Sequence, residues 1–339
     1  AVRYKTNKLD GSVANTVVFN QEGFLHAFFL QDQWIPNDRW DVQAGYRVSY
    51  YNELEGFYGS PRLALKYRVR PGVSLETSLG RHHQFVHRLI GENMTRGTRR
   101  MWIISSRQIP CISSLNYHTG LNWEKGYYSL SMNGYYRSLN DIFQFQGSFI
   151  PTTTLVNNRT VSNNEIDFGT GTARGMELLL RKKEGMVSGW ISYHLNRTKY
   201  DFPSLNNGDS FLANHDKMHE FKSVIMTRIR KWDFTATWVY ASGRVYTSTE
   251  NMYVNSGYQI STTGNQNNER LDSIHHLDVS ISRTWQVSPA VIHTGLSIYN
   301  LYDQWNISHK RYNPYTTQLA VTDVAMFGIT PMAFVKISF

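Results

Sequence analysis

The amino-acid sequence predicts an all-β fold, a transmembrane antiparallel up-and-down β-barrel, of which this chain carries about 13–14 strands. Three observations predict it. Apolar and polar residues alternate with a period of two along most of the chain. Short turns and long polar loops follow one another in alternation. Tryptophans gather beside the short turns.

The strands read in order as 24–36, 38–51, 60–70, 73–86, 111–124, 127–143, 173–183, 188–201, 219–231, 233–246, 271–286, 290–303 and 327–339, with residues 12–20 a candidate for one more. In the second of them Trp40, Val42, Ala44, Tyr46 and Val48 share one face, and Asp41, Gln43, Gly45 and Arg47 share the other. In the fifth, Leu115, Tyr117, Leu121 and Trp123 stand opposite Asn116, His118, Gly120 and Asn122. Strand side chains point alternately to the two faces, so each such segment has one apolar side and one wet side. In the last strand Phe327, Ile329, Val335, Ile337 and Phe339 form the apolar side, with Lys336 and Ser338 opposite.

The connections carry the topology. Tight turns centre on Pro36-Asn37-Asp38, Pro71-Gly72, Glu124-Lys125-Gly126, Lys183-Glu184-Gly185, Lys231-Trp232 and Ser288-Pro289. Longer loops lie near 52–59, 87–110, 144–172, 202–218, 247–270 and 304–326. Trp34, Trp40, Trp123, Trp232, Trp285 and Tyr127 all sit beside tight turns. An indole favours a membrane interface, where the ring is half buried and its N–H stays hydrated.

Composition agrees. Aromatic residues make up 14% (Tyr 21, Phe 17, Trp 9), while mean hydropathy is −0.44. No run approaches the ~20 apolar residues that a membrane helix needs. Cys111 is the single cysteine, which excludes an internal disulfide and a multi-cysteine metal site. The formal charge of +9 is scattered over strand ends and loops rather than gathered in a stripe, so no nucleic-acid partner is expected. No signal peptide precedes the barrel pattern, so it is expected to have been removed or to lie upstream.

Several phrases resemble the carboxy-terminal part of TonB-dependent outer-membrane transporters, particularly those of the Bacteroidota. They are Gly59-Ser-Pro-Arg-Leu-Ala-Leu-Lys-Tyr67, Leu79-Gly-Arg-His-His-Gln-Phe85, and the series Gly169, Gly171, Ala173, Gly175 and Glu177 continuing through Met176 to Leu180. Gly189-Trp-Ile-Ser-Tyr193, Asp216-Lys-Met-His219, Ala241-Ser-Gly-Arg-Val-Tyr-Thr247, Tyr299-Asn-Leu-Tyr302 and the final Phe339 follow in order. The resemblance implies a barrel of about 22 strands with a plugged lumen. Residues 1–339 then form a single barrel domain, the carboxy-terminal portion, with the plug and first strands outside this chain. It also implies active import of an iron chelate, vitamin, oligosaccharide or peptide across the bacterial outer membrane. The expected partners are outer-membrane lipid and lipopolysaccharide, TonB and its inner-membrane motor acting through the plug, the barrel assembly machinery reading Phe339, and a candidate surface lipoprotein. The alternatives are a passive channel and a structural subunit of a larger outer-membrane complex.

No catalytic residue, metal site or cofactor is expected. Gly169-Thr-Gly171-Thr-Ala-Arg-Gly175 approaches a dinucleotide fingerprint, but the third glycine is one residue late and a strand follows instead of a helix. His82-His83 and His275-His276 are adjacent pairs, which a strand splits across its two faces. Asp216 and His219 have no nucleophile beside them and read as a structural hydrogen bond where loop meets strand. The candidate binding residues are Arg96, Arg99, Arg100 and Arg107, clustered with Trp102 in one outer loop. Arginine grips carboxylates bidentately, and loops on rigid scaffolds carry binding. Gln43, Arg47, Lys66, Asn116, His118, Asp278 and Ser280 are expected to line the lumen or touch the plug.

Overall fold

A computed structural model describes residues 2–7, 16–93, 97–146, 153–156, 159–162, 165–255, 258–312 and 320–339. Thirteen long strands among them form one antiparallel sheet in which each pairs with its neighbours in sequence order. They are β1 (Leu25–Asn37), β2 (Trp40–Tyr51), β3 (Gly56–Arg70), β4 (Val73–Gln84), β5 (Ile112–Lys125), β6 (Tyr128–Gln146) and β7 (Glu165–Lys182). β8 (Val187–Asp201), β9 (His219–Ile229), β10 (Trp232–Ala241), β11 (Ile274–Val287), β12 (Ala290–Tyr299) and β13 (Thr330–Ser338) complete the meander. A two-residue strand, Phe211–Leu212, adds to the loop end of β8 as the fourteenth member.

All thirteen strands expected from alternation are present. Their ends differ in places. Strand β3 begins at Gly56, so the loop expected near 52–59 shrinks to a 3-10 turn at Asn52–Leu54 and Glu55. Strand β7 begins at Glu165 rather than 173, so the glycine series lies inside the strand. There Gly175 leaves room for a cross-strand tyrosine: a Cβ on it would stand 2.6 Å from Tyr135 Oη. Strand β10 stops at Ala241, short of the expected 246. The 12–20 segment contributes Thr16–Gln21, which pairs with Val2–Asn7 in a separate two-stranded sheet.

The tight turns occupy one end of the sheet. At Pro71-Gly72, Gly72 has φ +76, and a Cβ there would approach Glu124 O to 2.2 Å, so only glycine fits. The long connections occupy the other end and carry hairpins of their own: Val86–Asn93 with Gly97–Ile104, Thr153–Val156 with Arg159–Ser162, Thr249–Asn255 with Tyr258–Thr263, and Ile307–Tyr312 with Val321–Ala325.

Register sorts the side chains into two faces. Across neighbouring strands Leu63, Leu79, Tyr117 and Tyr136 follow one another, as do Leu75, Leu121, Met132 and Leu178. Among the described residues nothing covers this face. Leu75, Met176, Ile191, Ile225, Leu296 and Val335 are all exposed, Val335 to 68%. A soluble protein does not leave an apolar surface of this extent open to water, whereas lipid solvates it. The buried clusters instead lie toward the long connections: Tyr51 with Phe85 and Cys111, Ile103 with Ile109, and Ile142 with Phe202 and Phe211. The wall has no interior of its own. Its packing partner on the apolar side is the bilayer.

Candidate functional site

The polar face is the candidate transport surface. One line across the sheet runs Asp41, Lys66, Glu76, Gly120, Asn133, Glu177, His194 and Glu220, each paired in register with the next. Lys66 Nζ lies 2.7 Å from Glu76 Oε1, and Gln33 Nε2 donates to Asp41 Oδ1 at 2.9 Å. Lys222 pairs with Glu220, and His276 Nδ1 lies 2.9 Å from Asp278 Oδ1. Lys66 and Glu76 face each other on neighbouring strands, where opposite charges attract, while Lys222 and Glu220 pair along one strand. Toward the tight turns it encloses a cavity of about 880 Å³, whose lining includes Lys66, Arg68, Glu76, Asn122, Ser131 and Arg181.

The structure places the expected lumen residues on this face. Lys66 carries the ion pair, and Asp278 the histidine contact, described above. Gln43 stands opposite Gln33 and Ala64, Arg47 opposite Ser60, Asn116 opposite Gly80 and Arg137, and His118 opposite Ser78 and Tyr135. Ser280 pairs with Thr235 and Ser297. Of the adjacent histidines, His275 Nδ1 lies 2.9 Å from Tyr302 Oη while His276 meets Asp278, so the pair takes separate partners.

Arg99 and Arg100 lie on the strand Gly97–Ile104, where they pair in register with Gly91 and Ile90, and Trp102 pairs with Arg88. Arg107 leaves that hairpin and bonds Glu55 in the β2–β3 turn, Nη2 to Oε1 at 2.8 Å, both side chains being exposed. The pair lines a shallow cavity of about 450 Å³ with Asn52, Glu53, Ser106 and Gln108. Arg96 lies outside the described residues.

At the base of the same hairpin His87 is buried. Its Nε2 lies 2.8 Å from Ser105 Oγ, and that hydroxyl donates to Pro110 O at 3.3 Å. Its Nδ1 is buried and has no partner among the described residues, and burial lowers the ring's pKa to about 4. Burial pushes the Cys111 thiol up to about 11.

The Asp216 phrase proves structural, with a partner the sequence did not reveal. Asp216 is fully buried; its Oδ1 accepts from Thr198 N at 2.8 Å and its Oδ2 from Arg270 Nη2 at 2.7 Å. His219 bonds elsewhere, its Nδ1 lying 2.7 Å from Tyr193 Oη. Arg270 is 54 residues from Asp216 in a loop without periodicity, so no sequence signal links them.

An uncovered apolar face, a polar inner face and long loops at one end define the wall of an outer-membrane β-barrel. A family model described as TonB dependent receptor-like, beta-barrel, matches residues 3–301. The chain belongs to that family, and its place is the bacterial outer membrane. No curated protein matches it in sequence. Its fold is similar to the siderophore receptor PirA from Acinetobacter baumannii, at 12% identity and TM-score 0.61 over 93% of this chain and 45% of that one. A mutant of the ferric enterobactin receptor PfeA from Pseudomonas aeruginosa gives 11% identity and TM-score 0.61 over 98% and 47%. The outer membrane transporter YddB from Escherichia coli gives 14% identity and TM-score 0.58 over 98% and 49%. The chain spans about half the length of these proteins.

Proposed function

We propose that this chain is the carboxy-terminal portion of the barrel of a TonB-dependent importer of the Bacteroidota type, with the plug and first strands supplied outside residues 1–339. The observation that carries the reading is the parity of the sheet. Thirteen strands in a meander leave β1 and β13 as edges, and both run from the long connections toward the tight turns. Joining them directly would make a parallel pair in an otherwise antiparallel wall. Leaving them open in lipid would strand two rows of N–H and C=O groups at several kcal/mol each. An odd number of further strands satisfies both edges, and a barrel of about 22 strands calls for roughly nine.

In this reading the polar face meets the plug, and TonB pulls on the plug to open a path along it. Arg96, Arg99, Arg100, Trp102 and Arg107 contribute to capture of an anionic nutrient at the outer mouth. An iron chelate is the first class to test, since two of the fold neighbours are receptors for a siderophore and for ferric enterobactin. A vitamin, oligosaccharide or peptide remains within the same proposal. The assembly machinery reads Phe339, which is 96% exposed at the end of β13, and a surface lipoprotein caps the outer mouth.

The test is uptake of labelled nutrient by cells carrying or lacking the gene, each with and without TonB. Uptake that requires both supports the importer. Uptake that persists without TonB replaces it with a passive channel. Unchanged uptake accompanied by loss of an outer-membrane complex replaces it with a structural subunit.

A further inference from the structure

The outward face changes character abruptly along β7 and β8. From the tight-turn end β7 presents Leu180, Leu178 and Met176, then Arg174; β8 presents Ile191, Tyr193 and Leu195, then Arg197 and Lys199. Register sets Arg174 directly opposite Arg197, with Lys199 one outward position further along, opposite Thr172. The same line continues the other way through Tyr136 and Tyr117, whose ring centroids are 6.4 Å apart. Three cations therefore stand where the apolar band ends at the long connections, beside an aromatic pair of the kind that marks a bilayer interface.

Like charges directly opposite on neighbouring strands repel. Among the described residues no carboxylate lies within ion-pair distance of Arg174, Arg197 or Lys199. Arg197 Nη1 reaches a neutral atom, Met218 Sδ, at 3.5 Å. The next acidic residue along β8, Asp201, stands two positions beyond Lys199. On the inner face Lys66 pairs with Glu76 and Lys222 with Glu220, whereas among the described residues these three cations have no carboxylate partner.

We propose that Arg174, Arg197 and Lys199 cradle a phosphate group of an outer-leaflet phosphoglycolipid. An anion between the two guanidinium groups turns their repulsion into paired attraction, and arginine's planar fork matches phosphate oxygens bidentately. The patch lies at headgroup depth on the lipid-facing side, so a membrane lipid reaches it and a ligand in the lumen does not. The proposal rests on the reading that the long connections face outward.

The intact protein, purified from its outer membrane in mild detergent, is assayed for retained phosphoglycolipid by mass spectrometry of the extracted lipid. Wild-type protein retains it. The double variant Arg174→Gln/Arg197→Gln retains about tenfold less or lower, as loss of two charge-assisted contacts implies. Arg174→Lys/Arg197→Lys keeps part of the binding, and Lys182→Gln at the opposite end of β7 keeps all of it. A second readout separates binding from folding: added phosphoglycolipid raises the unfolding temperature of lipid-depleted wild type and leaves that of the Gln double variant unmoved. Equal retention by wild type and the double variant overturns the proposal, as does an equal thermal response or equal stabilisation by free inorganic phosphate. Protein absent from the outer-membrane fraction overturns the wall reading along with it.

Discussion

Arg270 closes on Asp216 across 54 residues of sequence, with Nη2 donating to Oδ2 at 2.7 Å and Nη1 donating to Asp216 O at 3.2 Å and Gly243 O at 2.6 Å. The carboxylate is fully buried and also accepts from Thr198 N. One ion pair thus ties the connection after β8 to the connection after β10.

Removing one partner of this pair strands the other charge. Arg270→Ala leaves a buried carboxylate without its cation, which typically costs about 3–5 kcal/mol. The expected result is faster amide exchange in residues 202–218 and 242–273 of the intact protein, with exchange in the β5–β6 hairpin unchanged. Equal protection in variant and wild type would show that the clip does not hold the loops. Asp216→Asn keeps the shape and loses the charge, and is expected to fall between the two.

His87 makes the hairpin Val86–Asn93/Gly97–Ile104 sensitive to acid. Because Ser105 Oγ donates to Pro110 O, the ring donates from Nε2, and Nδ1 is buried with no partner among the described residues. The folded pKa of about 4 lies below the ordinary value of 6.5. The open state then binds a proton first, so stability is full above about 6.5 and falls as pH drops toward 4, by up to about 3 kcal/mol. Amide exchange of the hairpin, corrected for intrinsic rate, should rise between pH 7 and pH 5 in wild type and stay flat in His87→Gln. A flat wild-type profile would contradict the assignment.

The wall was legible in the sequence and the loops were not, for a physical reason. A strand with one face in lipid and one in water must alternate, so Trp40 through Val48 announce β2, and the same logic yields every wall strand. Loop geometry is fixed by contacts between distant residues, and periodicity carries no trace of them. Asp216 stands out in the sequence by its phrase, whereas Arg270 lies in a stretch without periodicity. The loop arginines read as one cluster because they are near in sequence, and periodicity carries no sign that Arg107 pairs with Glu55. The Arg174–Arg197 opposition requires the register between β7 and β8, which alternation alone does not give.

Cys111 is 6% exposed and packs with Tyr51 and Phe85. Burial raises its thiol to about 11, so little thiolate exists at neutral pH. A water-soluble maleimide at pH 7.5 should leave the folded protein unlabelled and label it fully after denaturation. Rapid labelling of the folded protein would mean that the Tyr51–Phe85–Cys111 cluster opens. Cys111→Ala is expected to cost about 1 kcal/mol, the scale of a small deletion from a packed site.

Arg283 anchors the aromatic girdle at the tight-turn end. Its guanidinium carbon lies 3.8 Å from the Trp285 ring centroid and 5.2 Å from that of Trp232, and the two indoles meet edge to face at 6.2 Å. Register places Arg283 opposite Trp232 on the outward face, where a lone cation would be costly one step deeper in the band. Between two π faces it is compensated, at about 1–2 kcal/mol where water is excluded. Arg283→Ala should lower the unfolding midpoint of the intact barrel, and Arg283→Lys should recover part of the loss because the charge remains while the stacking plane is gone. The decisive comparison is Arg283→Ala in a Trp285→Leu background. If the ring carries the effect, the second substitution there costs much less than it does in wild type; equal costs in both backgrounds would assign the stabilisation to headgroup contacts instead.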